Sequence, residues 1–226
     1  MPLDAAKTLL LAIDVQNDFC PEYDAPDGRH GPGKLAVPDG CAVVAPLNAL
    51  ATAFAGRGAR VAATQDWHPA DHVSFVRPGA GEKQGDAENS ADQVLWPPHC
   101  VQGDRGAGFH SLFNLDPVTL IVRKGFRRNL DSYSAFFEND RKTPTGLEGW
   151  IRCLGMETVV IGGLATDYCV FYSAMDCVSL GFKTIIAEDA VRGVGYPAGS
   201  VETAISKMRE AGIVFSSSEK LLKELC

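Results

Sequence analysis

Cys169, Asp14 and Lys124 are the side chains whose types together make an acylatable nucleophile. Cys169 follows an apolar run, Glu157-Thr-Val-Val-Ile-Gly-Gly163, and then the turn Leu-Ala-Thr-Asp-Tyr168. On a turn between a strand and the next helix, helix-terminal N–H groups stabilise a thiolate and an oxyanion. A free thiol ionises near pH ~8.5, so it attacks best when a neighbour takes its proton or holds its charge. Asp14 ends one apolar run and serves as the base; Lys124 ends another and holds the pair. Each alone reads as a packing thiol, a turn acceptor or a solvated charge, but their shared position at strand ends makes a Cys/Asp/Lys triad.

A second set has metal-ligand chemistry. Asp66 and His68 flank one residue, so on an extended or turning segment both side chains face one way, and His99 in Trp96-Pro-Pro-His-Cys100 can close the site. Two imidazoles and one carboxylate with open positions suit Zn²⁺ foremost, or Fe²⁺ or Mn²⁺. His72 is a further ligand, a partner of a ligand or, as expected here, an exposed loop residue. Phe19, Trp96 and Tyr133 stand close to these groups in sequence and offer flat walls for a small planar ring.

Such groups need a scaffold that gathers strand ends. Apolar, β-branched runs recur at 8–13, 59–63, 118–122, 158–162 and 184–187, with a weaker one at 213–215. Helix-like stretches at 41–54, 146–154, 168–180 and 201–211 lie between them. Continuous apolar strands alternating with helices predict an α/β fold, an open doubly wound parallel sheet with helices on both faces. Ligands in such sheets bind outside the carboxyl ends of the strands, where Asp14, Asp66, Lys124 and Cys169 all fall. The segment 68–116 is the exception, long, polar and rich in Gly and Pro; since it carries His99, it reads as a functional metal-site loop within one domain over 1–226.

Composition narrows the function classes. The 226 residues are 46% hydrophobic and 22% charged with a net charge of -7, which is globular and argues against a nucleic-acid surface. The run at Leu9 to Ile13 is too brief for a signal or a membrane span, so a cytoplasmic protein with no membrane partner is expected. Seven cysteines lack the spacing of a disulfide framework or a CxxC zinc site, so most are expected as free thiols.

These motifs together are specific. Ile13-Asp-Val-Gln-Asn-Asp-Phe19, Asp66-Trp-His-Pro69, Trp96-Pro-Pro-His-Cys100, Lys124-Gly125 with Tyr133-Ser-Ala-Phe136, and Gly163-Leu-Ala-Thr-Asp-Tyr-Cys169 run in order along nearly the whole chain. In them the chain resembles the nicotinamidases of the isochorismatase-like cysteine hydrolase family. The resemblance implies Asp14, Lys124 and Cys169 as triad and Asp66, His68 and His99 as ligands of a metal that clamps a pyridine nitrogen. It implies Phe19, Trp96, Tyr133 and Leu164 against the substrate, and a cis peptide before Ala165 that turns the Ala165 and Cys169 N–H groups into an oxyanion hole. The implied reaction is hydrolysis of nicotinamide to nicotinate and ammonia through a thioester, in NAD salvage.

Some relatives draw a fourth ligand from the region of the 79–93 loop, which leaves His72, Glu82 and Glu88 as candidates; Arg127 and Arg128 could bias the substrate. The rival reading is a related cysteine amidase acting on another carboxamide or a carbamoyl group. Trp67-His68 and Trp96-Pro-Pro-His99 speak against it, because an aliphatic amide has no ring nitrogen for a metal to hold. The isochorismatase branch has no need of Cys169, and a non-catalytic binding module predicts a lost triad member. A homo-oligomer through an exposed helix face is compatible with the fold.

Overall fold

The computed structural model of the chain describes residues 2–24, 30–76 and 94–225. The strands are β1 (Thr8–Ile13), β2 (Tyr23–Asp24), β3 (His30–Gly31), β4 (Arg60–Asp66), β5 (Leu120–Lys124), β6 (Thr158–Leu164), β7 (Lys183–Arg192) and β8 (Val214–Ser216). The helices are α1 (Val44–Gly56), α2 (Leu147–Cys153), α3 (Phe171–Ser179), α4 (Ser200–Glu210) and α5 (Ser218–Glu224). Six strands form one sheet in the order β5-β4-β1-β6-β7-β8, every pairing parallel, while β2 and β3 make a separate antiparallel pair.

The unbroken apolar run of β1 follows from burial on both faces. Leu10 and Ala12 join one core with Leu47, Leu50 and Phe54 of α1 and Leu221 of α5. Leu9, Leu11 and Ile13 join the opposite core with Ile151 of α2, Ala174 and Cys177 of α3 and Met208 of α4. Alternate residues of a strand point to opposite faces, so covering both faces leaves no polar position in the run. The doubly wound architecture expected from the sequence is the one observed.

Several element bounds differ from the sequence reading. β4 and β6 run on to Asp66 and Leu164, and β7 extends from Lys183 to Arg192. The helix expected over 168–180 begins as a π-helical turn, Thr166–Val170, before α3, and that expected over 41–54 begins as the 3-10 turn Gly40–Val43 before α1. Neither the β2–β3 pair nor α5 was anticipated.

Strand order sets the place of the site. Chain progression reverses between β1 and β6, the two central strands, and a crevice opens outside their carboxyl ends where successive connections run to opposite faces. Asp14 follows β1 there, and Ala165 to Cys169 follow β6. Gly163 lets these strands approach: its φ is 120°, and a Cβ on it would lie 2.0 Å from the Ile13 carbonyl oxygen.

Candidate active site

Lys124 ends the edge strand β5, whose burial alternates so that Val122 and Lys124 face inward. It is fully buried, and its ammonium donates to Asp66 Oδ1, to the Ser132 carbonyl at 3.0 Å and to Cys169 Sγ at 3.4 Å. Asp14 Oδ2 lies 2.9 Å from the same ammonium and is ion-paired with it. Asp14 Oδ1 accepts from the Thr64 hydroxyl at 2.6 Å. Oδ2 faces the ammonium, and a carboxylate oxygen has a second lone pair to offer the neighbouring thiol. Ligating atoms of Asp14, Asp66 and Cys169 lie within 4.8 Å of one another.

Gln16 locks the ends of β1 and β4 together. Its amide donates to the Asp66 and Ala107 carbonyls, both at 2.9 Å, and its oxygen accepts from Asp66 N at 2.8 Å. Neither Gln16 nor Thr64 was singled out from the sequence, because their roles depend on which strands become neighbours.

Burial shapes the protonation of the group. It pushes the Asp14 carboxyl up, opposed by Lys124, and pushes the Cys169 thiol well up, again opposed by Lys124. For Lys124 burial works against the charge, but Asp14 and Asp66 outweigh it and hold the ammonium well above its ordinary range. Asp66 is resisted by its burial too, yet Lys124 and then His68 keep it ionised below the usual carboxylate range. The thiol and its base are thus shifted in the same direction beside a fixed cation, an arrangement suited to passing a proton between them.

Asp66, His68 and His99 bring one oxygen and two nitrogens within 4.8 Å of one another. His68 Nδ1 lies 2.8 Å from the Gly125 carbonyl, and His99 Nδ1 lies 2.8 Å from the Pro97 carbonyl. A carbonyl only accepts, so each Nδ1 carries a proton and Nε2 is the nitrogen left for a ligand; at His68 the Asp66 carboxylate, against the burial, raises the imidazole above its ordinary value, so a cation there would displace a proton. Asp66 Oδ2 stands 3.6 Å from His68 Nε2, on the side away from the Lys124 contact. Two imidazole nitrogens and an ionised carboxylate oxygen fit a divalent cation. Burial also lowers His99 to about 4, which keeps its imidazole neutral at ordinary pH. His99 itself is positioned through Cys100, whose N–H donates to Asp18 Oδ2 at 2.8 Å and whose carbonyl accepts from His68 N at 3.0 Å.

A narrow cavity opens onto both sets of groups. Phe19, Trp96, Tyr133 and Tyr168 are its aromatic walls, and Asp66, His68, His99 and Cys169 face it. Trp96 Nε1 donates to the Tyr133 hydroxyl at 3.1 Å, and Trp96 meets Tyr168 edge to face at a centroid distance of 5.0 Å. Both contacts hold the walls in place.

Most of the expected site residues meet here, with differences. Asp14 and Lys124 stand behind Cys169 and do not line the cavity. Leu164, expected against the substrate, is packed in the core, and the cavity is lined instead by its neighbour Ala165 across a cis peptide bond. His72, expected as an exposed loop residue, is fully buried: its ring stacks on His68 at 4.3 Å, with Nδ1 2.7 Å from the Ser74 hydroxyl. Polar loop composition hid that burial. Glu82 and Glu88 lie outside the described residues. Arg127 pairs with Glu138 and Arg128 with Asp71, so neither reaches the cavity. Sequence reasoning missed Phe75, whose ring packs against His68, His72 and His99, and Tyr168, which is part of the motif ending at Cys169.

Comparison with known proteins places this geometry in a family. The isochorismatase domain model matches residues 8–220. The nicotinamidase of Acinetobacter baylyi is 39% identical over 94% of this chain and 94% of its own. Among solved structures, the nicotinamidase/pyrazinamidase of Acinetobacter baumanii superposes with a TM-score of 0.85 at 41% identity, covering 96% of this chain and 98% of that one. The pyrazinamidase of Pyrococcus horikoshii, solved in complex with zinc, gives a TM-score of 0.73 at 30% identity over 93% of this chain and 99% of its own. With the family model spanning the sheet from its first strand to its last helix, the chain belongs to the isochorismatase domain family.

Proposed function

We propose that this protein is a nicotinamidase, an amidohydrolase that cleaves the carboxamide C–N bond of nicotinamide and returns nicotinate to NAD salvage. One observation carries the reading. The Cys169 thiol and the imidazoles of His68 and His99 open onto the same aromatic-walled cavity. A thiol attacks the carbonyl carbon, while the imidazole side suits a ligand with its own coordinating nitrogen. The names of the relatives support the same substrate class.

Asp14 Oδ2 takes the Cys169 proton as Sγ attacks the amide carbon. Lys124 holds both anionic atoms in place throughout. The backbone N–H groups of Ala165 and Cys169 receive the developing oxyanion, at roughly 3 to 4 kcal/mol per donor in other hydrolases. As the tetrahedral species collapses, Asp14 returns the proton to the amine, ammonia leaves, and a thioester to Cys169 remains. Asp14 then takes a proton from an attacking water, nicotinate departs, and Cys169 recovers its proton. Asp66, His68 and His99 would hold a divalent ion, zinc before iron or manganese, which when bound would supply a Lewis-acidic position for a pyridine nitrogen.

The test is ammonia release with nicotinamide, pyrazinamide and a set of aliphatic amides. Nicotinamide and pyrazinamide are expected to turn over and the aliphatic amides to lag by orders of magnitude. Cys169→Ala should fold normally and release no ammonia. Preference for an aliphatic amide overturns the substrate, and turnover by Cys169→Ala overturns the nucleophile.

A further inference from the structure

Three side chains that the reaction does not use meet beside the Phe19 segment. Cys20, Cys41 and His110 each place a sulfur or ring nitrogen within 4.8 Å of the other two. Leu112 N–H donates to His110 Nδ1 at 3.2 Å, which leaves the ring proton on Nε2. Nε2 then donates to the Glu22 carbonyl at 3.0 Å, with Cys41 Sγ 3.9 Å away. Both ring nitrogens are engaged, which disfavours a metal ion, and the Cys41 thiol donates to the same Glu22 carbonyl at 3.1 Å, so the two sulfurs stand together as thiols.

We infer that Cys20 and Cys41 form a redox-active dithiol whose closure to a disulfide shifts the Phe19 wall of the cavity. The roles divide by exposure. Cys41 is half-buried and within reach of a small oxidant, whereas Cys20 is sealed. Burial, with Cys41 beside it, pushes the Cys20 thiol well up, so Cys20 resolves rather than initiates. Cys41 thiolate attacks a low-molecular-weight disulfide, forming a mixed disulfide and releasing one thiolate. Cys20 then attacks Cys41 Sγ, the second small thiolate leaves, and the protons from both protein thiols pass to the two released thiols. Two protein thiols are oxidised and one small disulfide is reduced.

Little backbone slack exists to absorb the closure. Gly40 packs so closely that a Cβ there would lie 2.8 Å from the Phe19 carbonyl, which also accepts from Val37 N at 3.0 Å. Phe19, Leu35 and Val37 all line the cavity. Drawing Cys20 and Cys41 together therefore moves residues that line the cavity.

The test has two readouts. Protein carrying Cys169→Ala is incubated with glutathione disulfide and mapped by mass spectrometry without reduction; a Cys20–Cys41 peptide lighter by two hydrogens is expected, reversed by dithiothreitol and absent in Cys41→Ser. This arm is independent of which amide is hydrolysed. In the second arm, protein with Cys169 intact is oxidised and assayed with nicotinamide. KM is expected to rise several-fold, whereas damage at Cys169 lowers kcat alone, and Cys41→Ser should match reduced wild type in KM before and after treatment. Absence of the crosslink overturns the inference, as does a crosslink that leaves KM unchanged or a Cys41 that ends only as the glutathione adduct.

Discussion

Lys124 is one buried cation between two buried carboxylates, and its removal exposes what it balances. In Lys124→Met, the buried carboxylates of Asp14 and Asp66 face each other without the ammonium between them, and Asp14 is left with no cation beside it. Breaking such a pair from one side costs about 3–5 kcal/mol, because the partner charge is left unpaid for by solvent. The urea midpoint should fall accordingly, and adding Asp14→Asn should recover part of the loss while activity stays absent; an unchanged midpoint counts against the charge balance. The pH profile follows from the same burial. Asp14 is shifted up from the ordinary carboxylate range, chiefly by desolvation, and must be ionised to take the thiol proton. Activity is therefore lost as pH falls through that raised value, and the acidic limb of kcat/KM should lie above ~4, the usual carboxylate value. A limb at or below it argues against Asp14 as the base. The limb belongs to the Asp14, Lys124 and Cys169 group as a unit, since the three titrate together.

At the scale of elements, the β5 end does two jobs one residue apart. Lys124 closes the proposed triad, and Gly125, at φ 62°, turns the chain so that its carbonyl receives His68 Nδ1–H. A Cβ at Gly125 would lie 2.4 Å from His68 Cε1. Gly125→Ala is expected to tilt the imidazole and weaken metal affinity by about 10- to 100-fold, in line with losses of groups that orient a ligand. Metal content at fixed buffer concentration, read beside the thermal midpoint, tests this: full metal loading in the variant overturns it. Much of this was legible in the sequence, because strands covered on both faces write themselves as unbroken apolar runs and the polar residues at their ends then stand out. Asp14, Asp66 and Lys124 were found in that way. Thr64 and Gln16 were not, since each gains its role only when β1 and β4 lie side by side. His72 and Phe75 were hidden for another reason: they sit in a polar segment without periodicity, and their burial comes from the fold of that segment over His68. The helix α5 is too short to show a period, and its cap, Ser217 accepting from Lys220 N, has no apolar stripe beside it to draw the eye.

Across the whole molecule, the proposed metal donors and the cores are separate. Asp66 and His68 lie at the end of β4 and His99 on the loop that closes over it, whereas the two apolar layers lie along the strands and extend to α1 and α5 on one side and α2, α3 and α4 on the other. Emptying the site removes a tie between a strand end and a loop but leaves both layers intact. A ligand held at about 100-fold above its dissociation constant adds roughly 2.7 kcal/mol to stability, and in a chain of this size that corresponds to about 5–10 °C. Treatment with a strong chelator is therefore expected to lower the thermal midpoint by that amount, to raise KM for nicotinamide steeply, and to leave the far-ultraviolet circular dichroism unchanged. Restored zinc should reverse both effects. Because the triad is built from Asp14, Lys124 and Cys169 without a donor from the metal set, Cys169 in the chelated protein should still alkylate with iodoacetamide at close to its original rate. A midpoint and KM indifferent to complete metal removal count against the assignment of Asp66, His68 and His99, and unfolding on chelation shows that the ion supports the sheet as well as the substrate.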